Sequence, residues 1–269
     1  MGMVFRARHL KLGTQRAVKV LIAGEHASLE TLARFQREAA AVSKMGKHPH
    51  IVSVFDLGQQ GAVTYYVMEL VEGKSLANQL RTTKYQPHDA ASLVEKVARA
   101  LHFAHAHKVI HRDVKPDNIM VRPDGEPLIT DFGLAREVDS SARISLTGQV
   151  MGTPSYMSPE QARGDVQATD ARTDVYAAGA VLYELLTGVP PHPGMSVPDV
   201  LVRIQRGELI PPRTIRPQVP KDLETICLKA VAFEPARRYQ TAEAFAHDLR
   251  RFLDGEPISA RPASLIVTL

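Results

Sequence analysis

The sequence lacks the features that a secreted, membrane-spanning or strongly nucleic-acid-binding protein would need. It has 269 residues and one cysteine, so an internal disulfide is excluded, which fits a reducing compartment. No apolar run reaches the ~18–20 residues of a membrane span, and the first residues lack the apolar core of a signal peptide. The net charge of +4 is too small to favour nucleic acid or a membrane surface as the main partner.

The remaining composition is typical of a globular protein, and the first part of the chain favours strands. Apolar residues make up 44% of the sequence, enough for one large domain or for two lobes that share a cleft. β-forming residues predict two strands joined by a turn over 3–22, and further strands over 51–57 and 62–71. Apolar residues at helical spacing predict one helix over 29–45.

Helical periodicity dominates the rest of the chain. One helix is predicted with Asp89 as its N-cap, and Cys227 lies in an apolar helical pattern that predicts a buried structural thiol. The other predicted helices lie near 174–187, 197–206, 220–233 and 241–253. The sequence therefore predicts an α+β fold. We expect a small sheet-rich lobe over 1–72, a larger mainly helical lobe over 73–253, and the start of a linker over 254–269.

Two loop motifs hold the residues that chemistry would need. They read Val109-Ile-His-Arg-Asp-Val-Lys-Pro-Asp-Asn and Ile129-Thr-Asp-Phe-Gly. Phosphoryl transfer requires an oriented acceptor hydroxyl and metal ions that neutralise phosphate charge. Asp113 is the candidate base and Lys115 can reach the transferred phosphate, while Asn118 and Asp131 offer the oxygen ligands that Mg²⁺ prefers. An isolated Asp-Phe-Gly would mark only a turn, so the inference depends on both motifs at this spacing.

These motifs resemble the protein kinase family, which has a His-Arg-Asp catalytic loop ending in Asn and an Asp-Phe-Gly metal motif. The Lys115-Pro-Asp-Asn sequence is similar to the serine/threonine branch. The resemblance covers nearly all of 2–253. It implies a bilobal kinase fold, ATP and Mg²⁺ as cofactors, and protein substrates with Ser or Thr acceptors. The sequence as a whole resembles those of bacterial kinases of the eukaryotic type.

The resemblance also assigns roles upstream of these loops. Lys19, on a predicted strand, would hold the α- and β-phosphates and pair with Glu38 of the predicted helix. Such a pair is also a switch, because an outward swing of the helix would break it. Taken alone, both residues would be ordinary solvated side chains. The remaining nucleotide-binding residues that the resemblance implies are the gatekeeper Met68, the backbones of Glu69 and Val71, and Val4, Ala17 and Met120 around the adenine ring. Plain core packing explains these apolar residues equally well.

Downstream, Gly152-Thr-Pro to Glu160 resembles the end of an activation segment. By resemblance, Thr153 would face the catalytic loop and Glu160 would pair with Arg238. Asp174 would brace the catalytic loop backbone; a simple N-cap is its alternative, and both roles could hold at once. Because Arg112 precedes Asp113, phosphorylation of the activation segment is expected to activate the protein. The hydroxyl residues between Asp131 and Glu160 are Ser140, Ser141, Ser145, Thr147 and Thr153. We expect Thr147 to be one such site and to be modified by the kinase itself; the alternative is that these hydroxyls only decorate a loop.

One motif is incomplete. The family's glycine-rich loop has three glycines, and only the third, Gly2, is present; the first strand is missing as well. We expect the chain to be a fragment of a longer protein, and the alternative is a truncated and impaired kinase. A parent protein of this type would be cytoplasmic or a cytoplasmic domain with a membrane anchor. A kinase-domain dimer is a further expectation, whereas nucleic acid and direct membrane contact are not expected.

Two other functions compete with an active kinase. A catalytically silent nucleotide-binding or scaffold module would keep the fold without transferring phosphate. A small-molecule kinase of related fold is the weaker alternative, because the segment ending at Glu160 shapes a peptide-binding surface in the family. A metal site at His102, His105 and His107 is not favoured, since no cysteine or acidic partner lies nearby at metal-site spacing.

Overall fold

The structure is a computed structural model and describes residues 2–21, 29–61, 63–132, 154–165, 167–194 and 196–261. Its strands are β1 (Gly2–Arg8), β2 (Gln15–Leu21), β3 (Val54–Gln60), β4 (Val63–Met68), β5 (Lys74–Ser75), β6 (Ile119–Val121) and β7 (Pro127–Ile129). Its helices are α1 (Leu29–Lys44), α2 (Leu76–Leu80), α3 (Pro87–Ala106), α4 (Pro159–Arg163), α5 (Ala171–Thr187), α6 (Val197–Arg206), α7 (Pro212–Ile215), α8 (Lys221–Ala230) and α9 (Ala242–Asp254). The predicted α+β class, with a small sheet followed by a mainly helical part, is confirmed.

Strands β1 to β4 form an antiparallel sheet in the order β1-β2-β4-β3. Burial alternates along β4, so that Thr64, Tyr66 and Met68 face inward, as period-two patterning requires. Tyr66 and Met68 pack in one cluster with Phe35 and Ala39 of α1, and the rings of Phe35 and Tyr66 lie 5.0 Å apart. This small core holds α1 against the sheet.

Strand β1 lies at an edge of this sheet. Three consecutive apolar residues there, Met3, Val4 and Phe5, are each about half exposed, at 49%, 54% and 47%. Consecutive strand residues point to opposite faces, so both faces of β1 are open. The turn between β1 and β2 closes through Gly13, whose φ of 69° is readily adopted by glycine.

The helical part is built around α5, which is buried along most of its length. Leu182 and Leu186 of α5 join one core with residues of α3, α8 and α9. Gly179 allows α5 and α8 to pack closely, because a Cβ there would lie 2.6 Å from the Cβ of Ala230. Cys227 of α8 is fully buried, which confirms the predicted structural thiol. Each fully buried leucine contributes about 1.5–3 kcal/mol relative to an exposed one.

Most helix boundaries lie within three residues of the predictions: α5 begins at Ala171 and not at 174, because Asp170 caps it, and α8 ends at Ala230 and not at 233. The helix predicted over 197–206 is confirmed as α6, whose N-cap is Ser196. The prediction that Asp89 caps α3 is wrong: Gln86 is the N-cap and Pro87 is the first helical residue. Proline suits that position because its fixed φ is helical and its missing N–H would have no partner there. Asp89 lies in the first turn, where its charge favours the helix dipole.

A hairpin carries the two predicted metal ligands. Strands β5, β6 and β7 form a three-stranded sheet within the described ranges, and Ile119 of β6 pairs with Ile129 of β7. This register places Asn118 and Thr130 at one end of the hairpin, where the Thr130 N–H donates to the Asn118 carbonyl at 2.9 Å. Among the described helices, none is long and apolar enough to cross a membrane.

Candidate active site

The loop between α3 and β6 is fixed by a buried carboxylate. Asp174 of α5 accepts hydrogen bonds from the N–H groups of His111 (2.8 Å) and Arg112 (2.7 Å), and it lies 2.7 Å from His105 Nε2. Burial alone would raise the pKa of Asp174, but the hydrogen bond with His105 and the contact with His111 lower it below its usual range. The predicted brace is therefore confirmed. The alternative that Asp174 is an N-cap is wrong, because Asp170 caps α5.

Two residues of the site adopt left-handed backbone conformations. Arg112 has φ of 64° and Asp131 has φ of 58°. Non-glycine residues rarely adopt this region, which costs on the order of 1–3 kcal/mol and persists only where the surroundings enforce it. Asp174 supplies that enforcement at Arg112. These conformations set the direction of the chain immediately before Asp113 and at Asp131 itself.

His111 links the two motifs, and its role was not predicted. The ring is fully buried. Its Nδ1 accepts from the N–H of Asp113 at 3.2 Å, so Nε2 carries the proton and donates to the carbonyl of Thr130 at 3.0 Å. The ring also lies 4.6 Å from that of Phe132. His111 therefore joins the loop that carries Asp113 to the segment that carries Asp131.

Three of the predicted site residues, Asp113, Lys115 and Asn118, lie together on one loop. Lys115 Nζ is 3.0 Å from Asp113 Oδ2. Asn118 Nδ2 donates to the Asp113 carbonyl at 2.9 Å and to Asp113 Oδ2 at 3.2 Å. A carboxylate held by an ammonium and an amide can orient an acceptor hydroxyl and take its proton.

The donor set fits Mg²⁺. Because the Nδ2 atom of Asn118 is committed to Asp113, its amide oxygen must point the other way. The hairpin register brings this oxygen to the same end as Asp131. An amide oxygen and a carboxylate are hard ligands of the kind that Mg²⁺ takes. Both residues keep the places that the motif spacing predicts.

Lys19 is held near Asp131 by the sheet. Lys19 Nζ lies 2.6 Å from Asp131 Oδ1. Tyr66 of β4 is paired with Lys19 of β2, and its hydroxyl lies 3.4 Å from the same oxygen. A cation beside the predicted metal ligand can meet phosphate oxygens. Glu38 lies on α1, but its side chain is outside the described part of the chain. The Lys19–Glu38 pair stays a prediction.

The residues predicted to surround adenine have unequal environments. Ala17 and Met68 pair across β2 and β4, are buried, and pack with Val71 in the sheet-side core. Val4 is 54% exposed on β1. Met120 is half-buried on β6. Gly2, predicted as the third glycine of the loop that covers the phosphates, pairs with Leu21. The Glu69 N–H donates to the carbonyl of Ser53 at 2.9 Å, so only the Glu69 carbonyl remains for adenine.

The predicted Glu160–Arg238 pair is confirmed. Arg238 donates to both carboxylate oxygens of Glu160, at 2.7 and 2.8 Å, and both side chains are buried. Thr173 also donates to Glu160, at 2.9 Å. Burial would raise the pKa of Glu160, but the hydrogen bonds and charge of Arg238 hold it below its usual range. This pair ties α4 to the chain that precedes α9.

Several contacts near the site were not predicted. The Tyr156 hydroxyl donates to Glu184 at 2.6 Å, and Gln161 donates to the Arg112 carbonyl at 2.9 Å. His105 was weighed only as a metal ligand; the described residues contain no metal-binding cluster, and His105 instead contacts Asp174. Thr153, Thr147, Ser140, Ser141 and Ser145 lie outside the described residues.

Comparisons with known proteins agree with this geometry. A family model described as the protein kinase domain matches residues 1–249. A protein of Clostridium perfringens named as a probable serine/threonine-protein kinase is 42% identical over 252 residues, covering 93% of this chain and 36% of that protein. The serine/threonine-protein kinases PknB of Mycobacterium leprae (41% over 265 residues) and PrkC of Bacillus subtilis (36% over 262 residues) each match 97% of this chain, which covers 42% and 40% of them. The chain thus spans less than half the length of these relatives.

Proposed function

The chain belongs to the protein kinase family, and on this premise we propose that it transfers the γ-phosphate of ATP to serine and threonine hydroxyls of proteins. The observation that carries the proposal is the cluster of Asp113, Lys115 and Asn118 on a loop braced by Asp174. PknB and PrkC are named as serine/threonine-protein kinases, which supports the same acceptor class here.

The chemical step assigns one role to each residue of the cluster. The acceptor oxygen forms a bond to the γ-phosphorus, the bond from that phosphorus to the bridging oxygen breaks, and ADP leaves. Asp113 orients the hydroxyl and accepts its proton. Lys115, 3.0 Å from Asp113, adds positive charge where the phosphoryl oxygens gather negative charge. No covalent intermediate with the protein is needed.

Nucleotide binding uses Asn118 of this cluster together with residues outside it. Asn118 and Asp131 would hold Mg²⁺, which supplies charge neutralisation for the phosphates when bound. Lys19 would contact the phosphates next to Asp131, and pairing with Glu38 would fix its direction. The backbones of Gly2, Glu69 and Val71 and the side chains of Val4, Ala17, Met68 and Met120 would surround the rest of the nucleotide. Buried Ala17 and Met68 support this assignment more than exposed Val4 does.

A labelled-phosphate assay tests the proposal. The chain is incubated with γ-labelled ATP, Mg²⁺ and a generic basic protein, beside Asp113→Asn, which keeps the shape and removes the base. Loss of a general base typically lowers the rate ~10²–10⁴-fold. Asp124→Asn is the matched control, because Asp124 is exposed at the tip of the β6–β7 hairpin and should leave transfer unchanged. Equal background transfer by the native chain and Asp113→Asn would instead favour a silent nucleotide-binding or scaffold module.

Three further elements of the proposal concern context. We propose that the kinase modifies its own activation segment, with Thr147 as a site, and phosphopeptide mapping of the same reaction would show an unmodified segment if this is wrong.

We also propose a kinase-domain dimer, for which the half-exposed apolar residues of β1 are the supporting observation. A monomer at all concentrations in analytical ultracentrifugation would exclude it. A cytoplasmic location, with or without an anchored parent chain, completes the proposal, and cell fractionation tests it.

A further inference from the structure

Gln161 forms hydrogen bonds in two directions at the start of α4. Ser158 is the N-cap of this helix, and the backbone N–H of Gln161 donates to Ser158 Oγ at 3.4 Å. In return, Gln161 Oε1 accepts from the N–H of Ser158 at 3.2 Å. These two bonds make a capping box, which stabilises a helix start. The amide nitrogen of Gln161 is not used by the cap. It donates to the carbonyl of Arg112 at 2.9 Å.

The bond to Arg112 is the part that the cap does not explain. A capping box needs only an acceptor at this position, so glutamate would serve as well as glutamine. Only glutamine also provides a donor on the same side chain. Gln161 is 49 positions from Arg112 in sequence, so this bond links the start of α4 to the loop that carries the proposed base.

The carbonyl that receives this bond belongs to the peptide group directly before Asp113. The same planar group contains the Asp113 N–H, which donates to His111 Nδ1 at 3.2 Å. The preceding N–H, of Arg112, is held by Asp174 at 2.7 Å. Arg112 itself has φ of 64°. A strained residue is therefore held at its N–H by α5 and at its carbonyl by α4, and the direction of Asp113 depends on both.

We propose that Gln161 is a positioning residue for phosphoryl transfer, acting through the Arg112–Asp113 peptide group to orient the Asp113 carboxylate. The inference rests on the proposed function. It makes the rate of transfer depend on how the start of α4 is seated, and not only on the residues that touch the substrate. Because Gln161 contacts none of the residues assigned to ATP, its effect should fall on kcat and leave the KM for ATP in place.

Gln161→Glu separates the two bonds of this side chain. The variant keeps the acceptor for the Ser158 N–H and hence the capping box, but it places a carboxylate oxygen against the Arg112 carbonyl. Misplacement of a catalytic group by ~1 Å can cost ~10²-fold. We expect kcat to fall by about 10–100-fold with the KM for ATP within about twofold of the native value. Gln161→Met, which has similar size but neither the donor nor the amide oxygen, removes both bonds and should lower kcat by at least a similar factor.

Gln205→Glu is the matched control. Gln205 of α6 donates through the same amide atom to a carbonyl of α4, that of Ala162, at the same 2.9 Å, but on the surface. This variant should leave kcat within about twofold of the native chain. The thermal midpoint of each variant is measured as well, so that loss of kcat is compared among folded proteins. If Gln161→Glu does not fold, Gln161→Met is measured in its place.

The outcomes are distinguishable. A kcat near native in both Gln161 variants would overturn the inference, as would a loss equal to that of Gln205→Glu. A rise in the KM for ATP with native kcat would also overturn it, because it would place Gln161 in nucleotide binding. If the native chain itself transfers no more phosphate than Asp113→Asn, the proposed function fails, and the positioning role fails with it for that separate reason.

Discussion

Two ion pairs of nearly equal length lie in very different surroundings. Arg238 and Glu160 are 2.7 Å apart with side chains 0% and 4% exposed. Lys19 and Asp131 are 2.6 Å apart with side chains 15% and 35% exposed. The distances alone would suggest equal importance for stability. Burial separates them, since charges in the interior interact strongly and are costly to leave alone, whereas solvent weakens exposed pairs.

The buried pair is also held by further hydrogen bonds. Arg238 donates further to the carbonyls of Ala232 (2.7 Å) and Phe233 (3.0 Å), and Thr173 donates to Glu160. Such a set fixes one geometry. Lys19 and Asp131 belong to the proposed nucleotide-binding cleft, so we expect their mutual contact to be exchangeable when phosphate or Mg²⁺ binds. We therefore expect the buried pair to stabilise the helical part strongly and the partly exposed pair in the proposed cleft to contribute less to stability.

The largest expected effect comes from breaking the buried pair. Arg238→Met should lower the free energy of unfolding by about 3–5 kcal/mol, because it leaves the Glu160 carboxylate buried without its cation. Urea denaturation monitored by circular dichroism measures the change. Arg206→Met is the control, since Arg206 pairs with Glu208 on the surface at 3.5 Å, and it should leave stability unchanged. A loss below about 1 kcal/mol in Arg238→Met would contradict this expectation.

Burial of a titratable side chain should also make the stability of the helical part depend on pH. His192 is 2% exposed and its Nε2 lies 2.8 Å from the hydroxyl of Tyr176. Burial lowers the pKa of His192 to about 4, against partial opposition from Glu208. Because the unfolded chain binds the proton near pH 6.5 and the folded chain only near pH 4, stability should be fully present above pH 6.5 and fall as pH drops toward 4. The loss should be on the order of 3 kcal/mol.

The measurement is the free energy of unfolding against pH in the native chain and in His192→Gln. Glutamine can still bond the Tyr176 hydroxyl but does not titrate, so the variant should show a flatter curve in this window. Exposed His247→Gln is the matched control for the loss of one histidine. If the free energy of unfolding depends on pH in the same way in the native chain and in His192→Gln, protonation of His192 does not destabilise the fold. The carboxylates Asp174 and Glu160, whose pKa values are lowered, contribute in a more acidic range.

The sequence predicted which residues form the candidate site better than it predicted the contacts that hold them. Asp113, Lys115 and Asn118 lie within six positions, and one loop brings them together. The Glu160–Arg238 and Asp174 contacts were predicted only through resemblance to a family. Gln161–Arg112 and His105–Asp174 were not predicted, because they span 49 and 69 positions and arise only when α3, α4 and α5 are packed. Spacing along the chain contains no sign of them.

The fold shows the same limit at smaller scale. Long periodic helices such as α6 were predicted well because a whole face repeats. The short helices α2, α4 and α7 were not predicted, since four or five residues give no measurable period. The start of α3 was misassigned because Asp89 is a good cap by residue type, whereas Pro87 sets the start by its backbone.

The smallest expected effect sharpens the comparison at the cleft. Glu69, at the end of β4, lies 2.7 Å from Arg122, just after β6, with side chains 29% and 36% exposed. If burial and not distance decides the strength of a pair, this short pair should resemble surface pairs. A double-mutant cycle of Glu69→Gln and Arg122→Met should give a coupling energy of about 0.2–1 kcal/mol in urea denaturation. A coupling above about 2 kcal/mol would show that partly exposed pairs here stabilise as buried ones do. The division between a stabilising helical part and an exchangeable cleft would then fail at this point.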